Sequence, residues 1–136
     1  MHQHRMHLAL GDHSARHIRR IVRAYLHRWA LTELTDTAEL AVTELLANVV
    51  RHVPGRFCSV LILRVENGLR VEVTDPDPRL PEVQQAGQLA EHGRGLMLVE
   101  ALTDRWGTTP SPPGKTVWFE CDAKNRDGAA PAPVRG

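Results

Sequence analysis

The feature that most constrains the fold is a pair of apolar runs, rich in β-branched residues, that are joined by a turn signal. The first run is FCSVLILRV at 57–65 and the second is LRVEVTD at 69–75, with Asn67 and Gly68 dividing them. An Asn-Gly pair between such runs is the strongest short-range signal for a tight β-hairpin. The fold must therefore contain a sheet with neighbouring antiparallel strands.

Two helices are predicted before this hairpin. Apolar residues recur every three or four positions in SARHIRRIVRAYLHRWAL, which predicts a helix after a cap at Asp12 or Ser14. The second helix is predicted to begin with a capping box of Asp36 and Glu39 and to end near His52. Both helices precede the first strand predicted in the chain.

Residues 76–92 carry prolines and polar residues without a sustained period, which predicts a long loop of the kind that is usually functional. GRGLMLVEAL then predicts a glycine-rich turn that feeds a third helix, and residues 104–122 predict two further strands. This order predicts an α+β fold, a two-layer α/β sandwich with helices on one face of a mostly antiparallel sheet. A doubly wound parallel fold would need strict alternation of strands and helices, which is absent.

The length of 136 residues favours one domain. We expect a disordered N-terminus at 1–7, an ordered domain at 8–122 and a flexible C-terminal tail at 123–136. No apolar run approaches the ~20 residues of a membrane span and no signal peptide is recognisable, so we expect a cytoplasmic protein. Cys58 and Cys121 lie in separate apolar runs and are predicted to be buried thiols.

The net charge of +1 gives no general attraction to nucleic acid, so we expect no direct contact with DNA or RNA. The first helix nevertheless carries a basic face of five arginines: Arg16, Arg19, Arg20, Arg23 and Arg28. This face is either a solubilising surface or a docking surface for an acidic partner.

The second helix, in TELLANVVRH, is apolar over most of its circumference but carries Glu44, Asn48 and His52 at intervals of four. Residues four apart form one stripe along a helix, and we call these three residues the polar stripe. The polar stripe is either a narrow exposed strip or the wall of a site. In a site, the carboxylate could take a proton from a hydroxyl group and the amide oxygen could bind Mg²⁺.

Three further segments carry weaker signals. The run at 93–95, Gly-Arg-Gly, opens the predicted third helix, where backbone N–H groups and an arginine could bind a phosphate. PSPPGKTVWFE is not a P-loop, because it leads into a strand, although Thr116 could hydrogen-bond into a neighbouring site. Asp75 places a carboxylate at the end of a strand, next to the predicted loop. None of these signals alone identifies a function.

Taken in order, the motifs resemble those of the Bergerat-fold ATPases of the GHKL superfamily. They are ELLAN with His52 on a helix, VEVTD ending a strand, a lid, GRGL opening a helix, and GKT before the last strand. Within that superfamily the chain resembles the bacterial anti-sigma-factor serine/threonine kinases over about residues 8–121. The resemblance implies a Bergerat ATP-binding fold with ATP and Mg²⁺ as cofactors.

The resemblance also implies roles for individual residues. Glu44 would act as the catalytic base or would orient water, and Asn48 would bind the Mg²⁺ that bridges the phosphates. Asp75 would accept a hydrogen bond from the adenine amino group, with Thr116 as a supporting hydroxyl near the base. The other cofactor-binding residues would be His52 and the glycine turn over the phosphates, which consists of Gly93, Arg94 and Gly95.

As a member of this family, the protein would phosphorylate a STAS-type anti-sigma factor antagonist, sequester a sigma factor and form a homodimer. The chain departs from the family at one point, because Asp75, Pro76 and Asp77 stand where Asp-x-Gly is usual. Loss of the glycine and gain of prolines stiffen the first turn of the lid. The alternative function is therefore a non-catalytic nucleotide-binding or protein-binding module of the same fold.

Overall fold

The computed structural model describes residues 2–79 and 90–123, with side chains described from residue 96 onward in the second range. Within these ranges the chain forms three α-helices and five β-strands. The elements are β1 (Gln3–Ala9), α1 (Ser14–Arg28), α2 (Thr35–His52), β2 (Phe57–Val65), β3 (Gly68–Asp75), α3 (Ala90–Leu102), β4 (Arg105–Ser111) and β5 (Gly114–Asp122). Short 3₁₀ turns at Thr32–Leu34 and Pro54–Arg56 precede α2 and β2.

The strands form one sheet in the order β1-β2-β3-β5-β4, and every neighbouring pair is antiparallel. The predicted hairpin is confirmed, with Val65 opposite Gly68. The two turn residues are Glu66 and Asn67, whereas Gly68 is already the first residue of β3. A Cβ on Gly68 would collide with the carbonyl oxygen of Cys121, so glycine is needed there because β5 passes close by.

The N-terminal segment forms a strand, so the expectation of disorder at 1–7 is wrong for the described residues. Strand β1 pairs with β2 from Gln3 opposite Leu63 to Ala9 opposite Phe57. Its half-buried residues alternate with exposed ones, which is the pattern of an edge strand with one face on the core. The histidine-rich composition hid this period. Of the predicted C-terminal tail, only Ala123 is described, and its N–H donates to the carbonyl oxygen of Asn67 at 2.7 Å.

The helices cover one face of the sheet, as predicted. Helix α2 contacts α1, α3 and the central strands β3 and β5. The residues of the central strands that point toward the helices are buried and mainly apolar: Val60, Ile62, Leu69, Val71, Val73, Val117, Phe119 and Cys121. The opposite face is polar, and there the guanidinium of Arg70 lies 4.1 Å from the ring centroid of Trp118. In the described ranges, no helix has the length and apolar character to cross a membrane.

The predicted helix caps are wrong. Helix α1 has no side-chain cap, and Oγ of Ser14 accepts a hydrogen bond from the N–H of Gly11 at 2.8 Å, in the preceding turn. Helix α2 begins at Thr35, one residue before Asp36, because the 3₁₀ turn runs directly into it. Glu39 turns toward α1 and does not reach back to the helix start.

Part of the basic face of α1 holds that helix to α2. The guanidinium of Arg23 binds the carboxylate of Glu39 through two hydrogen bonds, at 2.7 and 3.1 Å. Arg19 donates to Oγ1 of Thr43 at 3.1 Å. The prediction that the arginines only face solvent therefore applies to the three exposed arginines that remain, which are Arg16, Arg20 and Arg28.

Candidate functional site

The ends of β3 and β5 hold a buried ion pair. Asp75 and Lys115 lie opposite each other in the antiparallel register, at positions that alternate with outward-facing residues. Nζ of Lys115 donates to Oδ1 of Asp75 at 3.0 Å and to the carbonyl oxygen of Asp77 at 2.8 Å. The Lys115 and Asp75 side chains are only 4% and 2% exposed. Since a buried charge is costly unless it is paired, each side chain holds the other in place.

A second ion pair holds the chain as it leaves β3. The N–H of Asp77 donates to Oδ1 of Asp75 at 2.8 Å, and the Asp77 carboxylate accepts hydrogen bonds from the Arg79 guanidinium. These bonds hold the pKa of Asp77 well below its usual range. We call Asp75, Asp77, Arg79 and Lys115 the strand-end cluster. It fixes the first residues after β3, where the family usually has a glycine.

A glycine does lie beside Asp75, but it comes from the neighbouring strand. A Cβ on Gly114 would collide with the carbonyl oxygen of Asp75 and would lie 2.6 Å from Cα of Pro76. The backbones of β5 and of the β3 end therefore approach closely only because residue 114 has no side chain.

The polar stripe of α2 faces away from α1. Thr43 and Glu39 contact α1, and at roughly 100° per residue Glu44 and Asn48 lie a quarter to a half turn farther around the helix. Both side chains are half-buried. Within the described residues, neither side chain makes a hydrogen bond. A carboxylate and an amide are thus available, one turn apart, on the side of α2 that does not contact α1.

The polar stripe ends next to the strand-end cluster. His52 is exposed at the C-terminal end of α2. Its carbonyl oxygen accepts a hydrogen bond from the Arg79 guanidinium at 3.0 Å, and the same guanidinium binds Asp77. The fold therefore connects the C-terminal end of the polar stripe to the chain segment that follows Asp75.

Thr116 is not brought to the same face as Asp75. Strand alternation puts it on the opposite face from Lys115, and its hydroxyl lies 2.6 Å from the hydroxyl of Thr74. The side chain beside the Asp75 carboxylate is that of Lys115.

The glycine motif lies inside α3 and does not open it. The helix begins at Ala90, three residues before Gly93, so Gly93, Arg94 and Gly95 belong to its first turns. The helix persists because each glycine costs only about 1 kcal/mol relative to alanine, which packing of α3 on α2 can offset. The predicted loop at 76–92 is shortened accordingly, and residues 80–89 lie outside the described ranges. A phosphate-binding role for the motif stays a prediction.

Sequence reasoning missed Lys115, Asp77 and Arg79 as parts of the region. A signal for Lys115 existed, because it shares strand parity with the apolar Val117 and Phe119 and should therefore point into the core. A lysine on an apolar face needs a partner. No local pattern identified Asp75 as that partner, 40 residues earlier in the chain.

The two thiols are free and buried, as predicted. Burial raises the pKa of Cys58 to about 11, with a smaller contribution from the negative charge of Asp75. Burial also raises the pKa of Cys121 to about 12. At neutral pH both are therefore protonated and unreactive.

The described residues contain no group of three or more His, Cys, Asp or Glu that could hold a metal ion. Magnesium does not need such a group, because it takes many of its ligands from water and phosphate oxygens. The amide oxygen of Asn48 has the right chemistry for one protein ligand. The polar stripe therefore fits Mg²⁺ that arrives with a phosphate-bearing ligand.

Comparison with known proteins agrees with this geometry. Residues 9–121 match the family described as "Histidine kinase-like ATPase domain". The chain belongs to the histidine kinase-like ATPase domain family. This confirms the resemblance to the GHKL ATPases, and membership in a family of ATPase domains implies an ATP-binding function. The Asp75 carboxylate and the half-buried Glu44 and Asn48 are compatible with that function.

One similar sequence and one similar structure add detail. The uncharacterized protein SCO4941 of Streptomyces coelicolor is 43% identical over 70 residues, which are 48% of this chain and 67% of that protein. A chain in the crystal structure of the SiaB–SiaC complex from Pseudomonas aeruginosa is similar with a TM-score of 0.60. That similarity covers 85% of this chain and 86% of the other at 14% identity, so it supports the histidine kinase-like ATPase fold alone.

Proposed function

We propose that this protein is an ATP-dependent serine/threonine kinase of the anti-sigma-factor type. In this proposal Asp75 binds the adenine base of ATP and Asn48 binds the Mg²⁺ that accompanies the nucleotide. The observation that carries the proposal is the meeting of the polar stripe with the strand-end cluster through the bond from Arg79 to the His52 carbonyl. Membership in the ATPase domain family supplies the ligand class.

In the part of the site proposed to bind adenine, one oxygen of the Asp75 carboxylate accepts hydrogen bonds from the protein and the other does not. Oδ1 accepts hydrogen bonds from Lys115 and from the N–H of Asp77. Within the described residues, Oδ2 accepts none, and no fully buried polar side-chain atom there lacks a partner, so Oδ2 is reachable. It can accept the hydrogen bond of an amino group such as that of adenine.

At the phosphate end, Glu44 and Asn48 have separate tasks. The Asn48 amide oxygen would bind Mg²⁺, which offsets the charge of the phosphates. ATP, when bound, supplies the phosphoryl group. The Glu44 carboxylate would orient the hydroxyl of the partner and accept its proton. Roles for His52 and for the segment 93–95 near the phosphates belong to the same proposal.

The protein substrate would be a STAS-type anti-sigma factor antagonist, and a sigma factor would be the second partner. The similar chain from Pseudomonas aeruginosa lies in a complex of two proteins, which supports a protein partner for this fold. Homodimerisation and a cytoplasmic location follow from the same family expectation.

Calorimetry tests the nucleotide site directly. We expect Mg²⁺-dependent binding of ATP to the wild type, and a loss of at least about tenfold in affinity for Asn48→Ala, because a metal ligand is removed. Asp36→Ala, an exposed substitution on the same helix, is the control and should bind like the wild type. If Asn48→Ala retained wild-type affinity and Mg²⁺ dependence, the assignment of Asn48 would be wrong.

Transfer of labelled γ-phosphate to a co-encoded antagonist tests the kinase activity. Glu44→Gln should abolish most of the transfer while ATP binding persists, since the amide cannot accept the proton. Binding of ATP without transfer to any co-encoded antagonist would instead favour a non-catalytic module. The tight fixing of the chain after Asp75 by Asp77 and Arg79 is the observation that favours this second function.

A further inference from the structure

Lys115 is a buried cation at the end of the sheet, and nothing in its local sequence marks it as part of a binding site. Its ammonium group is buried beside Asp75, the residue that the proposed function assigns to the base. On the other side of Asp75, Cys58 of β2 is buried and its pKa is raised. The surroundings of Asp75 across the sheet are therefore one cation and one neutral thiol.

In the pair of Asp75 and Lys115, one hydrogen-bond donor and one acceptor oxygen have no partner within the described residues. Nζ of Lys115 carries three N–H groups, of which one binds Oδ1 of Asp75 and one binds the carbonyl oxygen of Asp77. Within the described residues, the third N–H has no acceptor and Oδ2 of Asp75 has no donor. The ion pair therefore presents an unused donor next to an unused acceptor.

A purely structural explanation of this pair is weak. A buried ion pair is often no more stabilising than two apolar residues of similar volume. The other residues of the same faces, such as Val73 and Val117, are apolar and buried, so an apolar pair would continue the core. The charges are instead located at the end of the sheet, where Asp77 and Arg79 connect them to the C-terminal end of α2.

We infer that Lys115 reads the nucleotide base together with Asp75, an inference that rests on the proposed ATP site. The adenine edge places an amino donor on C6 next to the ring acceptor N1. Oδ2 of Asp75 accepts from the amino group and the third N–H of Lys115 donates to N1, so that recognition occurs at two adjacent points. Lys115 is thus a specificity-determining residue, and Asp77 positions it through its carbonyl oxygen.

The test compares ATP with 1-deazaadenosine triphosphate, in which a C–H group replaces N1. Guanine would be a poor probe, because its O6 and N1–H offer an acceptor and a donor in reverse order. For the wild type, calorimetry should give an affinity for the deaza compound that is lower by about tenfold or more, since a hydrogen bond to a charged group is lost. In Lys115→Met the two nucleotides should bind equally.

The ratio of the affinities for the two nucleotides is measured within one variant. A change in the stability of that variant affects both affinities equally and therefore does not alter the ratio. If Lys115→Met does not fold, Asp75→Asn/Lys115→Met removes both charges together and should also bind the two nucleotides equally. Arg70→Met, which removes a cation from the opposite face of β3, is the control and should keep the tenfold ratio.

Two results would overturn the inference and leave the proposed function standing. Equal binding of both nucleotides by the wild type would refute the contact from Lys115 to N1 and leave ATP binding intact. A tenfold ratio that persisted in the Lys115 variants would assign the N1 contact to another group. Absence of any ATP binding by the folded wild type would instead reject the proposed function itself, and the reading of the base by Lys115 with it.

Discussion

The two halves of the candidate site are built in opposite ways. In the polar stripe, Glu44 and Asn48 are half-buried and make no hydrogen bond within the described residues. In the strand-end cluster, Asp75 and Lys115 are almost completely buried and bound to each other. Glu44 and Asn48 are thus available for ligands that arrive from outside, whereas the cluster is held by the protein itself. Substitutions in the stripe should change function, and substitutions in the cluster should change stability as well.

The largest expected effect is the loss of stability on breaking the buried pair. Lys115→Met leaves the Asp75 carboxylate buried without its cation, which should lower the free energy of unfolding by about 3–5 kcal/mol. Urea denaturation at neutral pH measures this loss. In Asp75→Asn/Lys115→Met no charge is left unpaired, so more than half of the stability should return. A double variant no more stable than the single one would mean that Lys115 acts through its packing.

A second large effect should come from the close approach of β5 to the end of β3. Gly114→Ala places a methyl group against the backbone of Asp75 and Pro76, which cannot move as a side chain would. We expect a loss of about 1–3 kcal/mol in the free energy of unfolding. Gly11→Ala is the matched control, because its methyl group would meet only Ser14 Oγ at 4.0 Å, and its effect should be small. Equal stability of the two variants would refute the predicted clash.

The polar stripe should respond in the opposite direction. Asn48→Ala removes a side chain without a hydrogen bond and adds the best helix former, so unfolding should cost about 0.5 kcal/mol more. Thr43→Ala, five residues earlier on the same helix and half-buried, should destabilise by about 1 kcal/mol because it removes the bond from Arg19. A gain in stability together with the loss of Mg-ATP binding would identify Asn48 as a residue retained for function. A destabilising Asn48→Ala would place it among the structural residues.

The same contrast explains what the sequence could predict. The polar stripe depends on residues four apart on one helix, and the β2–β3 hairpin depends on adjacent runs, so local periodicity was enough for both. The cluster depends on the register between β3 and β5, which lie about 40 residues apart, and on a turn after Asp75 that has no helical or strand period. Strand alternation could have placed Lys115 inward, but only the fold identifies its partner.

Caps and helix starts were less predictable for a related reason. Glu39 had the spacing of a capping box, but its carboxylate binds Arg23 of α1. A local pattern competed with a contact between two helices, and the tertiary contact prevailed. The same competition explains why Gly93 and Gly95 lie within α3, where packing on α2 outweighs their low helix propensity.

The smallest expected effect concerns Arg79, the most exposed member of the cluster, with 73% of its side chain accessible. Its bonds lower the pKa of Asp77 in the folded state, so the ionised carboxylate stabilises the fold at pH values above the ordinary carboxyl pKa of about 4. That contribution disappears as the pH falls toward the lowered pKa, because the proton then binds the folded state as well. Arg79→Ala should therefore reduce the urea midpoint slightly at pH 7, and the difference from the wild type should shrink below pH ~4.

Arg79→Lys separates charge from geometry in this prediction. Lysine keeps the positive charge but cannot bind Asp77 and the carbonyl oxygen of His52 with one planar group. Arg79→Lys should therefore recover part of the pH-dependent stability but should not restore the hydrogen bond to the carbonyl oxygen of His52 in α2. A difference between Arg79→Ala and the wild type that stayed constant from pH 7 to pH 3 would show that Arg79 acts through His52 alone. The cluster would then be joined to the polar stripe by geometry and not by the charge of Asp77.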